Sequence, residues 1–318
     1  MRLALLASNA LLASGALVLF AAAALAQPAG LRPSAPAGPE TREPDLAYGA
    51  YQRGLYLQAL REATSRLERD PEDAAAMTLL GELHNQGLGI RQDPEKAAEW
   101  YRLAAHKGDA GALSALAMMA IDGRGIARDR SQGKAWLEEA AAKGEPSAAF
   151  NLGLLLLSGS DAEAGRAADL LRLAAEAEIP DAQHALGVLH LRGRGVPRSS
   201  AEAVRWFRRA AENGSTAGEV EYAILLFNGD GVAADERLAA RYFRRAAGRG
   251  NPIAQNRLAR LYAVGRGVQK NLVEAAAWHL LASARGLTDA WLDQTLKNLP
   301  AEERARAEKL AADRADQI

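Results

Sequence analysis

Residues 93–108 read DPEKAAEWYRLAAHKG and residues 199–214 read SSAEAVRWFRRAAENG, and the two stretches align without a gap. Each opens on a helix-capping side chain, Asp93 or Ser199, and carries a large aromatic, Trp100 or Trp206. An alanine pair follows (Ala104-Ala105, Ala210-Ala211), and Gly108 or Gly214 closes the stretch. A capped start, an apolar stripe at helical spacing and a terminal glycine describe one amphipathic helix.

The same order recurs along most of the chain. Glycine pairs stand at Gly87/Gly89, Gly123/Gly125, Gly193/Gly195, Gly229/Gly231 and Gly265/Gly267, and a lone Gly159 fills the missing turn. Their first members lie 36, 36, 34, 36 and 36 residues apart. An aromatic follows each pair at a fixed distance: Trp100, Trp136, Trp206, Tyr242 and Trp278. Before each pair runs an L-(G/A)-x-L pattern, as in Leu80-Gly81-Glu82-Leu83 and Leu186-Gly187, whose small residue lets a second helix approach closely. Asp93, Asp129, Ser199, Asp235 and Asn271 supply the caps of the second helices. A fixed period of this length signals a repeat architecture of helix pairs. The six units are read as 73–108, 109–144, 145–179, 180–214, 215–250 and 251–286. The third is irregular, with Leu170 in the aromatic slot and Glu178 where a closing glycine stands elsewhere.

The pattern AxxxLGxLxxxGxGVxxDxxxAxxWxxxAAxxG resembles the Sel1-like repeat, a relative of the tetratricopeptide repeat, over all six units. The resemblance implies an all-α fold, a right-handed α-solenoid with N- and C-terminal helical caps. It also implies a protein-interaction scaffold that works through a concave surface. Envelope members of the family include regulators of signalling and exopolysaccharide synthesis. Cysteine-rich relatives bind penicillin-like compounds through a disulfide-bonded framework that this chain lacks.

The flanks fit a capped array. Residues 44–72 read as a tetratricopeptide-like hairpin with Tyr48, Tyr51, Leu55, Ala59 and Leu60 facing inward. Residues 287–318 read as an end cap bearing Trp291, Leu292, Leu296 and Leu299. Polar ends keep a one-dimensional stack soluble. Residues 27–43 hold Pro28, Pro33, Pro36 and Pro39 and read as a linker. Residues 1–26 combine Met1-Arg2, an apolar run and Ala24-Leu25-Ala26, the form of a secretory signal peptide cleaved after Ala26. A periplasmic or secreted destination follows; the alternative is an uncleaved anchor, because residues 3–26 are long enough to span a bilayer.

Composition narrows function by exclusion. Of 318 residues, 39 are Lys or Arg and 39 are Asp or Glu, so no basic excess exists to meet nucleic-acid phosphates. The absence of cysteine removes disulfides, thiolate zinc sites and thiol nucleophiles. No enzyme constellation, cofactor motif or metal-ligand spacing is present. His84 and His190 share the slot of Tyr262 and read as core-edge residues. The glycine turns lack the Lys-Ser/Thr ending of a phosphate loop. Two arginine groups, Arg205/Arg208/Arg209 and Arg241/Arg244/Arg245, form either a solvated face or a docking strip for an acidic partner.

By analogy with the tetratricopeptide groove, partner-binding positions lie three before, one after and four after the small residue of each first helix. These are Thr78, Glu82 and Asn85; Ser114, Met118 and Ile121; Phe150, Leu154 and Leu157. They continue as His184, Val188 and Leu191; Val220, Ile224 and Phe227; Asn256, Arg260 and Ala263. The middle units are apolar at these slots, as an interaction site would be; the competing reading packs the same side chains against neighbouring first helices. The expected protein is a non-enzymatic envelope adaptor for a protein or extended peptide, without nucleic acid, cofactor or metal. The rival readings are a β-lactam or peptidoglycan-binding protein and a self-assembling structural protein.

Overall fold

The structure is a computed structural model that describes residues 45–159 and 161–317; the signal-peptide and linker expectations lie outside the described residues. It is all-α, with sixteen helices and no strand among the described residues. Two compact units divide it at residues 177 and 178.

The unit ending at residue 177 begins with α1 (Leu46–Gln52) and α2 (Tyr56–Arg69). Three helix pairs follow: α3 (Ala74–Gln86) with α4 (Pro94–His106), α5 (Ala110–Asp122) with α6 (Arg130–Ala142), and α7 (Pro146–Leu157) with α8 (Ala164–Glu176). The unit from residue 178 contains α9 (Pro180–Arg192), α10 (Ser200–Glu212), α11 (Thr216–Asn228), α12 (Glu236–Gly248), α13 (Pro252–Val264) and α14 (Leu272–Ala284). It ends with α15 (Ala290–Leu296) and α16 (Ala301–Ala315).

Local chemistry sets these boundaries. Asp93, Asp129, Ser199, Asp235 and Asn271 each accept a hydrogen bond from a backbone N–H three residues on. The first glycine of each pair ends its helix in the left-handed region. The second glycine has a further duty: a Cβ on Gly267 would stand 2.1 Å from the Glu236 carbonyl oxygen. The turn therefore seats directly on the start of the preceding second helix. The third pair departs at its irregular slots. Helix α7 ends on Ser158 in the right-handed region, and Glu178 adopts φ 66° without being glycine.

The recurrent aromatic slot is mostly not the innermost one. Trp100, Trp136, Trp206 and Tyr242 are half-buried, while Tyr101, Leu137, Phe207 and Phe243, one residue later, are enclosed. A Cβ on Gly187 would lie 2.6 Å from the Phe207 ring, so the small residue is the seat of that side chain. In the N-terminal hairpin Ala59 is buried, but Leu55 is 48% exposed rather than inward, because it is the N-cap residue at the α1–α2 turn.

Candidate functional site

Numbering each first helix from its small residue (Gly81, Ala117, Gly153, Gly187, Ala223, Ala259) places every predicted groove residue. None of these eighteen residues is fully exposed. Asn85, Met118, Ile121, Phe150 and Leu154 are half-buried in the first unit, and His184, Val188, Leu191, Ile224 and Arg260 in the second. Glu82, Leu157, Val220, Phe227 and Asn256 are buried, as are Thr78, Ser114 and Ala263.

The reasons for burial are specific. Tyr101 donates its hydroxyl to Glu82 Oε2 at 2.6 Å, the Gln86 amide donates to the other oxygen, and burial pushes the Glu82 carboxyl up. Phe227 lies under the Arg266 guanidinium at 4.2 Å, which is held in place by Glu236. Val220 joins the apolar core of the second unit, and Val188, Leu191 and Ile224 pack against it. Asn256 donates to Asp289 Oδ2 at 2.7 Å, and Arg260 grips the same carboxylate at 2.6 and 2.8 Å. His184 rests 5.5 Å from the Phe207 ring, and burial pushes its imidazole down to about 4.

Surface reached by solvent also lies outside the predicted slots. From the second repeat onward a half-buried to exposed stripe runs through −6, −2, +1 and +5, of which +1 belongs to the predicted set. In the first unit it holds Met118 and Asp122, then Asn151, Leu154 and Ser158. In the second it holds Asp181, Val188 and Arg192, then Glu221, Ile224 and Asn228, then Ile253, Arg257, Arg260 and Val264. The missed residues carried a legible signal: polar side chains hold +5 in five of the six first helices, whereas +4 is apolar in all but the first.

Charges on this stripe are unevenly satisfied. Burial raises the Glu221 carboxyl against the opposing charge of Arg192. Burial and the neighbouring Arg260 lower the Arg257 guanidinium. Although burial alone would raise it, hydrogen bonds from Arg260 and Asn256 hold the Asp289 carboxyl below the ordinary range. The arginine groups on α10 and α12 are largely neutralised by the chain itself. Arg205 pairs with Glu202, Arg208 with Glu212, Arg209 with Glu178 and Arg245 with Glu219, while Arg244 donates to the Tyr262 hydroxyl.

Elsewhere a cavity of about 750 Å³ lies in the first unit beside Leu60, Thr64, His84, Lys96 and Trp100. Among the described residues no three His, Cys, Asp or Glu side chains form a group that could hold a metal ion. No described helix is long and apolar enough to cross a membrane.

Paired helices of twelve or thirteen residues, joined in all but the third pair by left-handed glycine turns and offering one stripe per pair, define an α-repeat protein of the class that binds other proteins. The chain belongs to the Sel1 repeat family: the family model matches residues 74–109, 110–145, 146–178, 180–215, 217–251 and 252–287. Repeats of this kind generally mediate protein–protein interaction and are typically non-catalytic. The chain is similar to a Sel1 repeat protein from Oxalobacter formigenes at 26% identity and a TM-score of 0.66, covering 75% of this chain and 98% of that one. It is also similar to c5321, a protective antigen of uropathogenic Escherichia coli with the same repeat fold. That match has 26% identity and a TM-score of 0.50, over 86% of this chain and 69% of that one. None of the curated proteins matches this chain.

Proposed function

We propose that the protein is a non-enzymatic adaptor of the bacterial envelope, periplasmic or secreted, whose first-helix stripes hold a protein or an extended peptide. The observation that carries this reading is the chemistry of the +1 slot. Met118 and Leu154 in the first unit, and Val188 and Ile224 in the second, keep part of their apolar surface in contact with water. Within each unit, apolar surface at the same slot of successive repeats gives a partner more than one anchor, and its burial drives association. The leader-like residues 1–26 support the envelope placement.

Crosslinking in intact cells, followed by affinity capture, tests the reading. The wild-type chain recovers a defined partner, and Leu154→Asp loses it with far-UV circular dichroism unchanged. Loss of helicity in that variant would assign Leu154 to packing. Undiminished capture by a folded variant would remove the stripe from binding.

A further inference from the structure

We propose that Arg257, with the apolar surfaces of Ile253 and Trp291 nearby, is the docking point for an acidic side chain flanked by apolar residues in the partner segment. This rests on the protein-binding reading above and names the chemistry that one end of the site selects.

Three observations on α13 and α15 carry it. Arg257 is half-buried, its Nε is enclosed without a hydrogen-bond partner, and no carboxylate of the described residues lies within ion-pairing distance. The nearest candidate is already committed. Asp289 receives Asn256 and Arg260 on its side-chain oxygens and also caps α15 through the Trp291 and Leu292 N–H groups. Arg260 is thereby neutralised, whereas Arg257 keeps its charge in a partly dry position. A guanidinium stays protonated at any physiological pH, so only an incoming anion can compensate it.

The surroundings choose among anions. Ile253, one turn before Arg257 on the same face, is 46% exposed. Trp291 is 36% exposed, and its ring lies 5.1 Å from the Arg260 guanidinium. A planar carboxylate matches the guanidinium fork, and apolar neighbours on the ligand would cover Ile253 and Trp291. A polyanion fits poorly, because the apolar flanks would stay wet. No other repeat has a cation at this slot: Leu79, Ala115, Asn151, Ala185 and Glu221 occupy it.

Panning a phage-displayed random dodecapeptide library on the full chain tests the proposal. Selected peptides should carry Asp or Glu beside apolar residues. The best one, made synthetically, should weaken about tenfold or more on Arg257→Gln, and by a similar factor when its own acid becomes the amide. The two changes together should cost little more than either alone, and Arg257→Lys should restore part of the affinity. Peptides without an acid, equal binding to a folded Arg257→Gln chain, or a library that yields no binder would each overturn the proposal. Peptides that fail on Leu154→Asp but not on Arg257→Gln would overturn it while leaving the adaptor reading intact; the crosslinking experiment judges that reading independently.

Discussion

The two units solve one packing problem with opposite chemistry. Four residues before the small residue, each first helix points a side chain into the junction between consecutive helices. Residues 45–177 place Met77, Leu113 and Ala149 there, and residues 178–317 place Gln183, Glu219 and Gln255. All six are buried. Met77 packs in an apolar cluster with Tyr101 and Ala104. Glu219, at 0% exposure, is bound by Arg245 and Arg249, and those arginines also reach the carbonyl oxygens of Ala211 and Gly214. Gln255 donates to the Ala247 carbonyl, and Gln183 bonds both Glu178 and Asn213. Dispersion is indifferent to direction, whereas a buried carboxylate tolerates only the register that brings its donors. The same backbone geometry thus needs neither device in particular.

Substitutions at that slot separate the two devices. The largest effect is expected at Met77→Ala, which removes enclosed apolar atoms and costs about 3 kcal/mol. Its shift in urea midpoint, followed by circular dichroism, should be the same at low and high salt. Glu219→Ala should cost about 2 kcal/mol, below the usual penalty for a broken buried pair, because Arg245 and Arg249 are 45% exposed and rehydrate. Its deficit should shrink as salt rises, since screening weakens the wild-type pair. Equal salt response in both variants would erase the distinction between the units.

How much of this was legible follows from the range of each interaction. The caps at Asp93 and Asn271 and the glycine stops were readable because each is decided within three or four residues. The helix pairing was readable because the 36-residue spacing repeats its small and large slots. The orientation of the solvent-facing stripe was not, and Phe227 shows why: its cover, Arg266, comes from the next glycine turn. Asn256 was hidden by a carboxylate 33 residues on. An apolar residue bound for water and one bound for a neighbour look alike until that neighbour is placed. Polar residues at +5, such as Asp122, Arg192 and Asn228, and at −2 in Asn151, Glu221 and Arg257 marked the solvent-facing side. The buried Glu219 was invisible for the same reason, since Arg245 stands 26 residues away.

The smallest expected effect is at Glu178, where the second unit begins, and it should emerge as pH falls. Every other closing position is glycine in the left-handed region, and Glu178 takes that conformation with a Cβ, at a cost of about 1 kcal/mol. Hydrogen bonds from Arg209, then Asn213 and Gln183, hold its carboxyl at about 2, against an ordinary value of 4.5. Both members of the Arg209 pair are more than a third exposed, so the network returns at most about 1 kcal/mol. A carboxyl lowered in the folded state contributes fully above its unfolded value and loses that contribution as pH falls toward the folded one. Glu178→Gly should therefore be close to neutral at pH 7. Near pH 2 it should be more stable than the wild type by up to about 1 kcal/mol, because protonation removes the network and leaves the backbone strain. Urea midpoints of the two proteins across that range decide it. A variant that is less stable at both ends would mean that the left-handed Glu178 carries no strain, and that its hydrogen bonds survive protonation.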